Sequence, residues 1–98
     1  MNTKRNYELV YILRPNLEDE AREAVFNKVK GIIESDGQVD KVDTWGNRRL
    51  AYPIKKLNEG FYNLVYFTAT SEVVNEIDRN LKIMDAVIRH MMVRQDEK

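Results

Sequence analysis

The chain has 98 residues, of which 43% are hydrophobic and 33% charged, and its sixteen basic and sixteen acidic residues leave no net charge. A chain of this length forms one domain around one modest core, because it buries only roughly 60–65% of its unfolded surface. Cysteine is absent, which excludes disulfides, thiolate nucleophiles and zinc–thiolate sites and is typical of a protein of the reducing cytoplasm.

The first predicted elements are a strand and a helix. Tyr7–Leu13 is apolar at both alternate sets of positions, which predicts a central strand or a strand with one face covered by a partner. The stretch is far shorter than the roughly 20 residues that span a bilayer and too short for a secretion signal. Pro15 ends this strand, Asn16 is the predicted N-cap of the helix, and Gly37 is its predicted C-terminal residue. The predicted buried stripe of the helix consists of Leu17, Ala21, Val25, Val29, Ile32 and Ile33.

A long hairpin is predicted next. The sequence reads as extended from Val39 to Ile54, and Gly46 interrupts the pattern, which indicates a bulge or a bend. Pro53 has no backbone N–H to donate, so this strand is predicted to lie at a sheet edge. The turn is predicted at Asn58–Gly60, with Phe61–Phe67 as the return strand.

A helix capped by Ser71 and a strand from Ala86 to Val93 complete the predicted elements, with a break at Asp85 and a polar, frayed tail at residues 95–98. The order strand, helix, strand, strand, helix, strand predicts one α+β domain over residues 1–98. We expect a ferredoxin-like split β-α-β sandwich, with a four-stranded antiparallel sheet and both helices on one face. The first and third strands are then central.

The sheet face without helices is a predicted partner surface. Val10 and Ile12 would lie there, and the third strand would add Tyr62 and Leu64. A large exposed apolar patch indicates a binding partner, so these four residues are the candidate partner-binding set. In the alternative interpretation, the third strand has the opposite orientation and most of these side chains belong to the core.

The hairpin carries a local excess of positive charge. No acidic residue lies between Asp43 and Glu59, whereas four basic residues do: Arg48, Arg49, Lys55 and Lys56. Nucleic-acid binding is one interpretation of this basic hairpin. A solvated edge strand whose charges oppose aggregation is the other.

A second basic group is predicted at the chain ends. Antiparallel alignment of the first and last strands would bring Lys4 and Arg5 near the end of the last strand, so that with Arg89 and Arg94 they could form one patch. The candidate nucleic-acid-binding residues are therefore Lys4, Arg5, Arg48, Arg49, Arg89 and Arg94. Proteins that bind nucleic acid alone usually carry a net positive charge. Any nucleic-acid role of this neutral chain must come from local patches or be shared with another protein.

The sequence offers little for catalysis. His90 is the single histidine, it lies in the last predicted strand, and we interpret it as a structural or surface residue. The acidic residues around Asp19 are interpreted as favouring the helix dipole rather than as metal ligands. The four glycines are scattered, so no phosphate-cradling loop is predicted. We expect no enzyme activity, cofactor, metal or small-molecule substrate, and no membrane association.

The hairpin segment Gly46–Lys55 reads Gly-Asn-Arg-Arg-Leu-Ala-Tyr-Pro-Ile-Lys and resembles the signature of the bacterial ribosomal protein S6 family, the sixth protein of the small ribosomal subunit. The resemblance extends to residues 5–8, 14–17, 59–62 and 85–89, and so covers essentially the whole chain in order. It implies the ferredoxin-like fold and a structural, non-catalytic role in the cytoplasmic ribosome. It also implies binding to central-domain small-subunit ribosomal RNA together with ribosomal protein S18.

Two alternatives share the predicted topology. An RNA-recognition motif requires a basic-Gly-aromatic-Gly/Ala-aromatic start to the third strand, and Glu59–Asn63 matches this pattern only at its Gly-Phe pair. A regulatory or small-molecule-binding domain would need a polar pocket, for which the sequence suggests no residues.

Overall fold

The computed structural model describes residues 3–54 and 56–95. In chain order its elements are β1 (Arg5–Leu13), α1 (Asp19–Glu34), β2 (Gly37–Ile54), β3 (Leu57–Ala69), α2 (Ser71–Ile83) and β4 (Val87–Arg94). The strands form one antiparallel sheet in the order β2-β3-β1-β4. The predicted ferredoxin-like fold is confirmed, with β1 and β3 at the centre. Neither helix in the described part of the chain has the length and apolar composition needed to cross a membrane.

The main core lies between the sheet and the two helices. Strand β1 contributes Leu9, Tyr11 and Leu13, and β3 contributes Val65 and Phe67, all nearly inaccessible to solvent. The helices supply the opposing apolar stripes, formed by Val25, Val29, Ile33, Val73, Ile77 and Leu81. Burial raises the pKa of the Tyr11 phenol to about 12. The odd-numbered positions of β1 therefore face the helices, as the alternation predicts.

Helix α1 begins later than predicted. Its N-cap is Glu18, which is extended and makes no side-chain capping bond, so the prediction of Asn16 as N-cap is wrong. Asn16 lies in the preceding turn. The Arg22 guanidinium donates to the Leu17 carbonyl at 2.6 Å and to the Asp19 carboxylate. The Arg22 side chain thus satisfies a carbonyl just outside the helix. Its hydrogen bonds stabilise the turn before α1 without a capping asparagine.

Gly37 does not end α1, which is a second correction. The helix ends at Glu34 with Ser35 as its C-cap, and Gly37 is the first residue of β2, paired with Ala69. A Cβ atom at position 37 would lie 2.2 Å from the Thr68 carbonyl oxygen. The glycine is required by the close approach of β2 to β3 rather than by the end of a helix.

The start of α2 also differs from the prediction by one residue. Thr70 occupies the N-cap position and Ser71 is the first helical residue, so the predicted Ser71 cap is wrong. The Thr70 hydroxyl donates to the Asp36 carboxylate at 3.4 Å instead of capping its own helix. This contact connects the start of α2 to the segment that follows α1.

Strand β4 spans Val87–Arg94, one residue later at each end than predicted, and Asp85 lies in the preceding turn as expected. Gln95 is not frayed, because its N–H donates to the Asn6 carbonyl at 2.8 Å and its side-chain amide donates to the Glu8 carboxylate. The remainder of the predicted frayed tail, residues 96–98, lies outside the described residues.

Strand β2 is an edge strand, which confirms the interpretation of Pro53. The pairing register with β3 shifts between Thr44 and Gly46, and Gly46 has a φ of +81°. This bulge was predicted from the glycine. A further shift occurs between Val39 and Lys41, in agreement with the opposite parity of the apolar residues there.

The turn of the hairpin lies earlier than predicted. Ile54 pairs with Leu57, so the chain reverses between them, and residues 58–60 belong to β3. Lys56 has a φ of 66°, as very short hairpin loops require. Lys55, one of the four basic residues of the predicted hairpin, lies outside the described residues.

A second apolar cluster lies on the sheet face without helices, so the prediction of a single core is wrong. Its buried members are Ile12, Leu50 and Ile88. The register of β2 shifts again between Arg49 and Ile54, and the end of β2 folds over the open face, which buries Leu50. We call residues 45–54 the arm.

Candidate protein and nucleic-acid interface

The four candidate partner-binding residues all belong to the open sheet face. Strand pairing places Val10 opposite Leu64 and Ile12 opposite Tyr62 on the two central strands. Ile12 and Leu64 are buried within the chain itself, at 6% and 3% exposure, whereas Val10 and Tyr62 are half-buried. The predicted orientation of β3 is confirmed, and the accessible part of the set is Val10 with Tyr62.

An apolar groove of about 230 Å³ lies between the arm and strands β1 and β4. Its lining is Val10, Ile12, Leu50, Ala51, Tyr52, Ile54, Tyr62, Arg89, His90 and Met91. Tyr52 and Met91 are 63% and 47% exposed, so their apolar surface is available to a second molecule. Arg89 adds a permanent positive charge at the rim. The groove has the composition expected of a small protein-docking site.

The arm presents a stacked set of side chains next to this groove. The Trp45 indole stacks on the Tyr62 ring, with centroids 6.2 Å apart and an interplanar angle of 20°. The Arg48 guanidinium carbon lies 5.6 Å from the Trp45 ring centroid, and its Nε donates to the Trp45 carbonyl at 3.4 Å. The indole remains 48% exposed. An exposed aromatic face with an arginine beside it can stack on a nucleobase and pair with phosphate oxygens.

Arg48 and Arg49 point to opposite sides of the hairpin. Arg48 pairs with Gly60, an open-face position, whereas Arg49 pairs with Glu59 on the neighbouring strand. Both arginines are exposed. Because Arg49 faces an acidic cross-strand neighbour, Arg48 carries the stronger unopposed charge on the open face.

The predicted terminal patch is only partly formed. Pairing of β1 with β4 places Arg94 beside the start of β1, where Lys4 and Arg5 lie. Arg89 pairs with Ile12 instead, about 17 Å further along the strand at roughly 3.3 Å per residue. The prediction of one patch is therefore wrong for Arg89, which belongs to the apolar groove.

The side chain of His90 has a structural role on the helix-facing side of β4, although the residue also borders the groove. Its Nε2 lies 2.8 Å from Asp78 Oδ1, and the Lys82 ammonium lies 3.1 Å from the other oxygen of that carboxylate. The hydrogen bonds from His90 and then Lys82 hold the pKa of Asp78 below its usual value. In the described part of the chain no group of three histidine or acidic residues has the geometry of a metal site.

A family model of ribosomal protein S6 matches residues 6–94. The chain belongs to the ribosomal protein S6 family. It is 60% identical over 89 residues to small ribosomal subunit protein bS6 of Clostridioides difficile, covering 91% of this chain and 97% of the relative. It is 58% identical over 91 residues to bS6 of Alkaliphilus oremlandii, covering 93% and 97%.

A solved structure agrees with the S6 assignment. The crystal structure of 30S ribosomal protein S6 from Thermotoga maritima superposes with a TM-score of 0.87 at 37% identity, covering 95% of this chain and 89% of that one. Members of the S6 family are structural components of the small ribosomal subunit. The chain is accordingly a structural protein of that subunit and not an enzyme.

The fold of this S6 family member also argues against an RNA-recognition motif. Phe61, the aromatic residue of the partial motif match, faces the helices, and the Arg22 guanidinium carbon lies 4.4 Å from its ring centroid. The side chain is therefore not free to stack on a base from the open face. Sequence reasoning missed the groove roles of Leu50 and Met91, although the alternation through Leu50 was a visible signal.

Proposed function

We propose that this chain binds central-domain small-subunit ribosomal RNA together with ribosomal protein S18 in the cytoplasmic ribosome. The partner protein docks on the apolar groove, and RNA contacts the arm at Trp45 and Arg48. The observation that carries the proposal is Tyr62, which lines the groove on one side and stacks under Trp45 on the other. Both surfaces therefore lie next to each other on one sheet face.

The composition of the groove supports a protein partner. Met91, which lines the groove, and Val93, two residues further along β4, are 47% and 48% exposed. Such apolar surface gains little from an RNA backbone. Burial of apolar area is instead the main driving force of protein association. Arg89 at the rim holds the partner rather than the RNA, because it lies among apolar groove residues.

The basic residues outside the groove supply the RNA contacts. Arg48 and Arg49 lie on the arm, and Lys4, Arg5 and Arg94 lie at the opposite end of the sheet. Arginine can pair with two phosphate oxygens at once, which favours the arginines. Since the chain has no net charge, these contacts are too few for tight binding alone, and the partner provides the remainder.

A binding titration tests the proposal directly. RNA binding to a central-domain fragment is measured at several salt concentrations with this chain alone, with S18 alone and with both. We expect tight binding only with both proteins. Arg48→Ala should lower the slope of log affinity against log salt by about one. Lys30→Ala, a charge loss on the exposed outer side of α1, is the matched control and should leave the slope unchanged.

The outcomes separate the parts of the proposal. Tight RNA binding by this chain alone contradicts the shared interface. Unchanged salt slopes for both Arg48→Ala and Arg49→Ala rule out the arm as the phosphate contact. Met91→Glu places a charge in the groove and should weaken S18 binding, and an unchanged affinity would show that the partner docks elsewhere. Association with neither S18 nor RNA overturns the proposed function.

A further inference from the structure

The two edges of the sheet are built differently. The β2 edge carries Pro53 and the bulge at Gly46, which are features that prevent another strand from pairing there. The β4 edge, Val87–Arg94, contains neither proline nor glycine, although it exposes Arg89 and Arg94 as β2 exposes Arg48 and Arg49. An edge without a proline or a bulge can accept an added strand.

The backbone of β4 offers free pairing groups. The Gln95 N–H donates to the Asn6 carbonyl at 2.8 Å, which fixes the alternation of bonded pairs between β1 and β4. Arg89 and Met91 therefore turn their N–H and C=O groups toward β1, whereas His90 and Met92 turn theirs outward. In the described part of the chain no strand lies on that outer side.

The same stretch of β4 continues into the apolar groove. Arg89 and Met91 line the groove, and Met91 and Val93 expose about half of their side chains on the open face. A strand added beside β4 would place every second side chain next to these residues. One of those positions would face the Arg89 guanidinium, for which a carboxylate is the complementary group.

We propose that β4 accepts an extended segment of the partner protein as a fifth strand of the sheet. The segment alternates apolar residues toward Met91 and Val93, and a carboxylate pairs with Arg89. The inference rests on the proposed docking of S18 on this face and adds the mode of docking. A peptide strand suits this edge better than RNA does, because the edge offers alternating donors and acceptors whereas phosphates offer acceptors only.

Amide hydrogen exchange of the full chain, with and without S18, tests the proposal. Free, the outward N–H groups of His90 and Met92 should exchange faster than those of Arg89 and Met91. On S18 binding, His90 and Met92 should become at least about tenfold more protected, because they gain backbone hydrogen bonds. Arg89 and Met91, already bonded to β1, should change little.

Two substitutions provide an independent measurement. Met92→Pro removes an outward N–H without touching the bonds to β1, and should weaken S18 binding about tenfold. Met92→Ala removes the same side chain but keeps the N–H, and should weaken binding less than about twofold. Arg89→Gln should weaken binding and reduce its salt dependence.

The results distinguish this inference from the proposed function. If S18 binds Met92→Pro as tightly as Met92→Ala, the added strand is overturned while the shared interface stands. The same conclusion follows if S18 binding leaves the amides of His90 and Met92 unprotected from exchange. No S18 binding by the unmodified chain overturns both. Protection that rises with protein concentration in the absence of S18, with dimers in sedimentation, assigns the edge to a second copy and contradicts the proposal. If Met92→Pro fails to fold, the exchange pattern of the unmodified chain decides.

Discussion

The imidazole Nε2 of His90 lies 2.8 Å from the Asp78 carboxylate and connects the edge strand β4 to helix α2. The His90 side chain is only 11% exposed, so this contact is mostly shielded by β4 and α2. The pKa of Asp78 is lowered first by its hydrogen bond to His90 and then by Lys82. The hydrogen bond between His90 and Asp78 gives the single histidine of the chain a structural role, so no catalytic role is needed to explain it.

The lowered pKa of Asp78 predicts a pH-dependent contribution to stability. A carboxyl group whose pKa is lower in the folded state stabilises the fold above its unfolded pKa, here 3.8, and loses that contribution as pH falls through the folded value. Asp78→Asn should lower the free energy of unfolding near pH 6 by less than about 1 kcal/mol, because the side chain is 40% exposed. Urea denaturation near pH 6 and near pH 2 measures the difference, which should vanish at the lower pH. Glu23→Gln, at an exposed position of α1, is the control, and an Asp78→Asn deficit that is equal at both pH values contradicts the assignment.

Gly60 should not tolerate a side chain. A Cβ atom there would lie 2.3 Å from Ile12 Cγ2, inside the open-face cluster, so Gly60→Ala should lower the free energy of unfolding by about 1–3 kcal/mol. Gly31→Ala is the matched control, because a Cβ at that helical position meets nothing within 4 Å. The control should raise stability by about 0.5–1 kcal/mol through helix propensity. Equal effects of the two substitutions in chemical denaturation would show that space at position 60 is not limiting.

Gly46 should be required for its backbone conformation rather than for space. Its φ is +81°, and a Cβ would meet nothing within 4 Å. Gly46→Ala should therefore cost about 1–2 kcal/mol of stability, and Gly46→Asn should cost less because asparagine adopts positive φ more readily. Thermal or urea unfolding of both variants checks the order. If asparagine is no better than alanine, strain at the bulge is not the cause.

Leu50 should anchor the arm to the sheet. It is 7% exposed in the open-face cluster, and Leu50→Ala should lower the free energy of unfolding by about 2–3 kcal/mol. Tyr52→Ala, at a 63% exposed position of the same arm, should change stability by less than about 0.5 kcal/mol. Limited proteolysis should cleave the arm faster in Leu50→Ala than in Tyr52→Ala. Comparable cleavage rates would argue that Leu50 does not hold the arm.

The elements that the sequence predicted well are those with strong periodicity. Strand β1, with its apolar residues on both sides, lies where the alternation places it, and Val25, Val29 and Ile33 form the predicted stripe of α1. Leu17, which was predicted to begin that stripe, precedes the helix, although it still packs against the core. The effects of Pro53 and Gly46 also follow from the sequence, because proline lacks an N–H to donate and glycine adopts positive φ without steric cost wherever they occur.

The capping residues and the turn could not be predicted because tertiary contacts decide them. Asn16 and Ser71 are good capping residues by composition, but Glu18 and Thr70 occupy those positions without side-chain caps. Gly37 is needed by the backbone of the neighbouring strand, which no local pattern reveals. The position of the arm over the sheet likewise depends on the contacts of Leu50 with Ile12 and Ile88, which are far away in sequence.

The position of Tyr62 has a thermodynamic consequence. Because this ring lines the groove and also supports the Trp45 indole, a protein that immobilises it from one side also orders the arm on the other. The RNA that we propose to bind at the arm would then lose less conformational entropy on binding. Linkage requires the converse, so RNA bound there would raise the affinity of the groove for the proposed partner by the same factor. The two ligands would therefore bind cooperatively through one aromatic side chain, with no change in the fold.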